Sequence, residues 1–320
     1  MNEEFKVKFW GVRGSHPAPG KETVHYGGNT SCVEVRVGGI VLILDAGTGI
    51  IPLGRDLARR GGPLEMTLLL SHLHYDHTQG FPFFTPAYLP GAKLHIYGPG
   101  ASVETLEKVL EANQSPATFP VTLRDMAAAK DIRSLKESET VLLAAGSVSV
   151  AAGAPDAPDE TVRVRIHHSH AHPGGVYAYR IEWCGRSVVY ATDIEGYVGT
   201  DQRLVHFASG SDLLIHDAQY TEAHYRGLRT GYPATQGYGH STAAMACEVA
   251  AAAGVRTLIL FHHEPAYDDA TIAAIETSAQ AKFPNVSAAS EGMEVALDRS
   301  RPLAMMKSAC ESRPVAAQGR

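Results

Sequence analysis

The sequence contains few cysteines, and none are spaced to hold a metal ion. Only Cys32, Cys184, Cys247 and Cys310 occur, and no Cys-x-x-Cys pattern is present. Neither a thiolate zinc knuckle nor the disulfide framework of a small secreted protein is therefore indicated. This cysteine usage favours a reducing, cytoplasmic environment.

An excess of positive charge is also missing. The chain has 28 Lys and Arg against 34 Asp and Glu, a net charge of −6. Proteins that hold long nucleic acids usually show a basic stripe. We therefore expect no stable nucleic-acid partner, and we expect a small anionic substrate to be attracted by metal ions or by a few placed cations.

Long hydrophobic runs are absent too. No stretch approaches the roughly 18 apolar residues of a membrane span, and the first ten residues alternate like a strand instead of resembling a signal peptide. We expect no membrane partner. A homodimer formed through exposed apolar surface is compatible with the sequence.

What the sequence does contain is an alternation of short β-branched runs and amphipathic helical patterns. Strands are predicted at 5–10, 31–37, 40–44, 66–70, 176–183, 187–191, 212–215 and 257–261. Helices are predicted at 52–60, 102–112, 200–208, 242–253 and 269–282. This is an α/β pattern whose glycine-rich polar segments follow strands, where open sheets place their active sites.

The same pattern indicates how the chain is divided into domains. Residues 1–300 are expected to form one domain, and residues 301–320 a flexible tail. The segment 113–160 has the weakest pattern and carries seven acidic residues against four basic ones, which argues against an RNA-gripping insertion. Its function stays open at this point, as does that of 223–238.

Four candidate metal ligands follow a run of three leucines at 68–70: His72, His74, Asp76 and His77. Residues two apart in an extended chain point to the same side, so His72 and His74 can share one ion. Asp76 and His77 fall on the next turn, where they can bind a neighbouring ion. Four ligand-type side chains within six residues after a buried strand indicate a metal site.

This His-x-His-x-Asp-His pattern resembles the signature of the metallo-β-lactamase-fold superfamily. The resemblance runs from the loop at 11–15 to residue 262 and implies a four-layer αββα sandwich. Residues at three further predicted strand borders match the superfamily's order: His172, Asp193 and His262. The resemblance implies that one ion is held by His72, His74 and His172 and the other by Asp76, His77 and His262, with Asp193 bridging the two.

Imidazole and carboxylate ligands suit Zn²⁺, Mn²⁺ or Fe²⁺. We expect two divalent ions, with Zn²⁺ favoured. Two ligand assignments have competitors: His263 follows His262, and three histidines crowd around His172, namely His167, His168 and His170. His172 is preferred because Pro-Gly-Gly and a strand follow it, and His262 because it leaves its strand directly.

Two later motifs indicate phosphate-ester chemistry. The segments 216–218 (His-Asp-Ala) and 239–242 (Gly-His-Ser-Thr) resemble elements of the tRNA 3′-processing ribonuclease and cyclic-phosphodiesterase branch, with Asp217 in place of glutamate. The resemblance implies that a metal-bridging hydroxide attacks phosphorus while His240, oriented by Asp217, protonates the departing alkoxide. The predicted catalytic residues are therefore Asp76, His240 and Asp217.

Several loop residues complete the predicted site. Small or polar residues would let the backbone approach a phosphate at Ser15, Asn29, Thr30 and Ser241. Asp45 is expected to be a buried carboxylate that braces a metal ligand or a loop.

The leading hypothesis is a phosphodiesterase for a small phosphodiester, such as a cyclic nucleotide or another cyclic phosphate. An RNA 3′-processing nuclease and a lactone or thioester hydrolase of the same fold are the alternatives within the superfamily. A scaffold protein without activity is the non-enzymatic alternative, disfavoured because every ligand position is filled.

Overall fold

The fold consists of two packed eight-stranded sheets covered by helices on both outer faces. It is described by a computed structural model over residues 4–61, 64–100, 104–117, 119–196, 200–297 and the backbone of 304–306. No helix within these ranges is long and apolar enough to cross a membrane. The predicted αββα metallo-β-lactamase sandwich is confirmed.

The first sheet is built mainly from the N-terminal half of the chain. Its spatial order is β16 (Ala304–Met306), β15 (Glu294–Ala296), β1 (Phe5–Gly11), β2 (Cys32–Val37), β3 (Ile40–Leu44), β4 (Glu65–Leu69), β5 (Lys93–Gly98) and β6 (Ala129–Ser134). Strands β3 to β6 are parallel. Their carboxyl ends therefore lie at one edge, where the chain continues into residues 45 and 70–78.

The second sheet follows in sequence. Its spatial order is β14 (Val286–Ala288), β13 (Thr257–Phe261), β12 (Leu213–Asp217), β11 (Arg186–Ala191), β10 (Val176–Trp183), β9 (Val162–Ser169), β7 (Glu139–Ala144) and β8 (Ser147–Ala152). Strands β11 to β14 are parallel, so the segments after β11, β12 and β13 share one edge of this sheet.

Helices cover both sheets. They are α1 (Ile50–Arg60), α2 (Tyr75–Thr78), α3 (Leu106–Asn113), α4 (Gln202–Ala208), α5 (Glu222–Tyr225), α6 (Ala243–Ala253) and α7 (Asp269–Gln280), with 3₁₀ turns at Phe81–Phe83 and Thr85–Tyr88. Helices α1 and α3 pack on the first sheet, and α4, α6 and α7 pack on the second. Alternate residues such as Val35 and Tyr179 fill the layer between the sheets.

The segment 113–160 differs from the expectation of a weakly structured region. It contains β6, β7 and β8, and residues 153–160 after β8 form a largely exposed loop. Within the predicted tail, residues 304–306 pair with β15. The rest of that tail lies outside the described residues.

Candidate metal centre

Three side chains reach the centre from residues just beyond strand ends. Asp45 follows β3, Asp193 lies two residues after β11, and His262 follows β13. Their φ angles are 62°, 55° and 64°, in the left-handed region that non-glycine residues rarely adopt. Such backbone costs about 1–3 kcal/mol per residue and is concentrated at functional sites. These turns direct the three side chains between the two sheets.

One group of imidazoles comes from His72, His74 and His172. His72 Nε2 and His172 Nε2 each lie 3.0 Å from His74 Nδ1. Tetrahedral zinc with Zn–N bonds of about 2.0–2.1 Å would place its nitrogen ligands about 3.3 Å apart. The three nitrogens therefore converge at a separation that fits a single ion.

A second group combines carboxylates and imidazoles. His77 Nε2 lies 3.2 Å from His262 Nε2 and 3.3 Å from Asp76 Oδ2, and His262 Nε2 lies 3.1 Å from the same oxygen. Asp76 and His77 stand on α2, whose helical turn provides the change of direction expected after His74.

Asp193 lies between the two groups. Its Oδ2 is 3.2 Å from His77 Nε2, and its Oδ1 is 3.3 Å from His262 Nε2 and 3.8 Å from His72 Nε2. All seven predicted ligands thus converge on one centre. The carboxylate of Asp193 is the member that faces both groups.

The electrostatics of the first group suit metal binding. Burial lowers the pKa of His72 and His74 and lowers that of His172 to about 4. Imidazole binds metals in its neutral form. These histidines are therefore uncharged at neutral pH and ready to act as ligands.

The second group carries concentrated negative charge. Burial alone would lower the pKa of His77, but Asp193, Asp76 and Asp45 raise it well above its ordinary value. Burial acts to raise the pKa of Asp76 and Asp193, whereas the neighbouring histidines lower both. A divalent cation would supply this compensating charge in place of protons. The composition of the donor set therefore fits divalent metal ions.

Asp45 braces the second group, as expected. Its Oδ2 lies 2.7 Å from His77 Nδ1 and accepts hydrogen bonds from Ser71 Oγ and Tyr190 Oη, and its Oδ1 accepts one from the Ser71 amide. A carboxylate on Nδ1 fixes the ring so that Nε2 faces the centre.

His240 and Asp217 form a pair beside the ligands. His240 Nδ1 lies 2.8 Å from Asp217 Oδ2. The His240 ring stacks on His262, with centroids 5.0 Å apart, and lies 5.1 Å from that of His172. Shortening glutamate to aspartate has not broken the contact, because the strand end of β12 brings Asp217 directly against the imidazole.

This pair changes the protonation of His240. Burial alone would lower its pKa, but the charge of Asp217 and the hydrogen bond to it raise the pKa to about 9. Positive charge at the metal centre would act in the opposite direction. His240 is therefore a group that can hold a proton near neutral pH.

The alternative histidines are placed elsewhere. His263 Nε2 lies 2.9 Å from the Ala289 carbonyl oxygen, and His167 Nδ1 lies 3.2 Å from Glu137. The rings of His168 and His170 pack against each other, with centroids 4.2 Å apart and planes tilted by 53°. None of these belongs to the ligand groups found among the described residues.

The residues expected to contact substrate divide into two kinds. The Ser15 amide donates to Asp76 Oδ2 at 2.7 Å, so Ser15 does border the centre. Thr30 and Ser241 are completely buried: Thr30 Oγ1 accepts from the Thr48 amide, and Ser241 Oγ donates to the Ile194 carbonyl.

Asn29 makes a comparable contact, because its side chain donates to Glu291 at 3.0 Å. The side chains of Thr30, Ser241 and Asn29 therefore brace loops within the protein, and their contact with a substrate stays a prediction.

Two residues of the site were missed by sequence reasoning. Gln219 Oε1 lies 3.2 Å from His262 Nδ1, and Glu195 accepts hydrogen bonds from the loop that precedes His240. Both stand two residues after a predicted site residue, Asp217 and Asp193 respectively. That spacing was the one available signal, because nothing in the sequence reveals their burial.

Fold and site together define a metal-dependent hydrolase. The chain belongs to the beta-lactamase superfamily domain family, whose model matches residues 42–263. That match spans every candidate metal ligand and the His240–Asp217 pair.

Its sequence relatives include ribonuclease Z. The enzyme from Picrophilus torridus is 26% identical over 84% of this chain and 89% of its own length. The enzyme from Gemmatimonas aurantiaca is 26% identical over 93% and 98% respectively. The chain therefore lies in the ribonuclease Z-like branch of the fold.

Solved structures share the fold. The metallo-β-lactamase-fold protein YhfI from Bacillus subtilis superposes with a TM-score of 0.65 at 20% identity, covering 92% of this chain and 100% of YhfI. The short form of human tRNase Z gives 0.59 at 19% identity, covering 92% and 99%. At these identities the similarity establishes the architecture alone.

Proposed function

We propose that this hydrolase is a phosphodiesterase that cleaves a small phosphodiester, such as a cyclic nucleotide or another cyclic phosphate. The observation that carries the proposal is the His240–Asp217 pair, which stacks against the candidate ligand His262. The relatives named ribonuclease Z, and a fold neighbour named as a diphosphatase of the PhnP family, support phosphate chemistry.

The metal ions have a defined place in this proposal. One ion would be held by His72, His74 and His172, and the other by Asp76, His77 and His262. Asp193 would contact both ions. Two divalent ions supply a nucleophile at neutral pH and offset charge on the phosphoryl oxygens. Zn²⁺ is favoured by the three-imidazole group, and Mn²⁺ or Fe²⁺ would also accept this donor set.

The proton for the leaving group comes from a side chain of the protein, His240. Asp217 holds Nδ1 of His240, which leaves Nε2 to deliver a proton to the departing oxygen. Such general acid catalysis contributes about 10²–10⁴-fold. An alkoxide leaving group needs that proton, whereas an aryloxide departs without it.

The surroundings of the centre favour a small substrate. A cavity of about 460 Å³ adjoins the first ligand group and is lined by residues 170–175 and Gly237. None of these is Lys or Arg, so the cavity has no fixed cation to follow a polynucleotide backbone. Attraction of the phosphate is left to the metal centre.

The test is His240→Ala with two kinds of substrate. We expect hydrolysis of 2′,3′- or 3′,5′-cyclic nucleotides to fall about 10²–10⁴-fold, and hydrolysis of an activated bis-aryl phosphate to fall much less. Lactones and thioesters, assayed in parallel, should remain poor substrates.

His95→Ala is a matched control. His95 is also a buried histidine paired with a carboxylate, Glu65 at 3.0 Å, but it belongs to β5 and to neither ligand group. Equal sensitivity of both substrate types to His240→Ala, or none, would contradict the proposal.

A second candidate is RNA 3′ processing, favoured by the ribonuclease Z relatives that match along nearly the whole chain. Filter binding distinguishes it from the first. Tight, salt-sensitive association with precursor tRNA, together with cleavage at its 3′ end, would reverse the order of the two proposals.

A further inference from the structure

A buried carboxylate, Glu195, lies behind the metal centre and belongs to neither ligand group. Only 2% of its surface is exposed. Its Oε1 accepts hydrogen bonds from Tyr225 Oη at 2.6 Å and from the Gly237 amide at 2.8 Å, and its Oε2 accepts one from the Gly239 amide at 2.9 Å. All three donors come from the chain that surrounds residues 226–236.

These contacts close a loop. Tyr225 ends α5 before the loop 226–236, and Gly237 and Gly239 follow it, so one carboxylate holds both ends. Ser241 reinforces the junction, because its hydroxyl donates to the Ile194 carbonyl and accepts from the Gly196 amide. The strand end that presents Asp193 is thereby joined to the segment that presents His240.

The junction also reaches a candidate metal ligand. The Gly239 carbonyl oxygen lies 3.2 Å from His172 Nδ1, on the side of the ring opposite the centre. A Cβ atom at residue 239 would lie 2.3 Å from that nitrogen, and its φ of +91° requires glycine. Gly239 therefore contacts Glu195 through its N–H and the imidazole of His172 through its carbonyl oxygen.

We propose that Glu195 is a positioning residue for the first metal group and for His240. By accepting the Gly239 N–H, it fixes the residue whose own carbonyl, in the following peptide group, sets the tautomer and direction of His172. Groups that orient ligands in this way typically change metal affinity or activity by 10–100-fold. The proposal adds to the proposed function a residue that acts through others.

Glutamine is the informative substitution. It keeps the shape of the side chain but has one oxygen for three donors, and its amide N–H groups would oppose those of Gly237 or Gly239. Glu276 provides a matched control, because it is also buried and accepts a hydrogen bond from a tyrosine, Tyr26 at 3.0 Å, away from both ligand groups.

The experiment measures Zn²⁺ binding by competition with a chromophoric chelator. His262→Ala removes a ligand of the second group, and His72→Ala one of the first, which gives two backgrounds. We expect Glu195→Gln to weaken Zn²⁺ binding about 10–100-fold in the His262→Ala background and to leave it unchanged in the His72→Ala background. Glu276→Gln should change neither.

Tyr225→Phe separates loop anchoring from ligand positioning. It removes one donor at the start of the loop and keeps the Gly239 contact, so Zn²⁺ affinity should be retained. Equal weakening in both backgrounds would show a merely structural role and overturn the proposal, as would unchanged binding. These titrations need no substrate, so they stand even if the phosphodiesterase assay fails.

Discussion

Asp45 is the residue on which the second ligand group depends most directly. It is fully buried, accepts hydrogen bonds from Ser71 and Tyr190, and contacts Nδ1 of the His77 ring. Such a carboxylate keeps a ligand in one tautomer and raises its basicity. Loss of this carboxylate should therefore reduce metal affinity more than it reduces the stability of the fold.

We predict that Asp45→Asn weakens Zn²⁺ binding by the second group about 10–100-fold. Chelator competition in the His72→Ala background measures this. Tyr190→Phe is the control, because it removes one donor to Asp45 and leaves the contact with His77. Unchanged affinity in Asp45→Asn would mean that Asp45 only holds the loop.

The seven candidate ligands and the His240–Asp217 pair could be predicted at this scale, because ligand-type side chains stood at strand borders in a recognisable order. The burial of Thr30 and Ser241 could not be predicted, since a hydroxyl residue looks the same in the sequence whether it faces solvent or a buried peptide group. Glu195 was missed for the corresponding reason: burial is decided by residues distant in sequence.

At the scale of elements, Glu34 joins β1, β2 and α1. It is fully buried and accepts from Trp10 Nε1 at 2.9 Å, Arg36 Nε at 2.7 Å and Arg60 Nη1 at 2.8 Å. Burial acts to raise its pKa, but the two arginines and the tryptophan lower it below the ordinary 4.5. The charged form therefore stabilises the fold.

We predict that Glu34→Gln lowers the free energy of unfolding by about 2 kcal/mol at pH 7, since each of its hydrogen bonds involves a charged group. Because the folded-state pKa is lowered, this stabilisation is present above pH 4.5 and is lost as the pH falls below it. Urea unfolding at pH 7 and pH 4 should show the difference from wild type shrinking.

Glu294→Gln is the comparison for that experiment. Glu294 pairs with Lys8 at 3.0 Å with 39% of its side chain exposed, and such surface pairs contribute less than about 1 kcal/mol. Equal losses for the two variants, or a difference that does not depend on pH, would contradict the role given to Glu34.

The eight predicted strands and five predicted helices all exist, because each has a long periodic pattern. Eight other strands of the described residues, β5 to β9 and β14 to β16, were not predicted. Among them, β6 and β8 stand at sheet edges with alternately exposed residues, and their sequences are small or polar. An edge strand buries little apolar surface, so its sequence lacks the apolar run by which a central strand such as β13 is recognised.

At the scale of the molecule, the metal centre joins the two sheets. Candidate ligands from the β4–α2 segment meet others that follow β9, β11 and β13. A ligand that binds only the folded state at 100 times its dissociation constant stabilises that state by about 2.7 kcal/mol. Removing the metal should therefore lower the stability of the whole fold.

We predict that a chelator abolishes hydrolysis and lowers Tm by roughly 5 °C or more, since about 1 kcal/mol shifts Tm by 2–4 °C in a domain of this size class. Calorimetry with and without chelator measures the shift, and restoring Zn²⁺, Mn²⁺ or Fe²⁺ in turn identifies the active ion. A His72→Ala, His77→Ala double variant should not respond to chelator.

The separation of the ligands along the chain also sets an order of events during synthesis. His77 and His262 are 185 positions apart, whereas His74 and His172 are 98 apart. A nascent chain that has emerged as far as Asp193 already has every candidate ligand of the first ion, but the second must wait for β13. The ligand set of the first ion is therefore complete in a growing polypeptide before that of the second, and a chain that stops before residue 262 lacks a ligand of the second group.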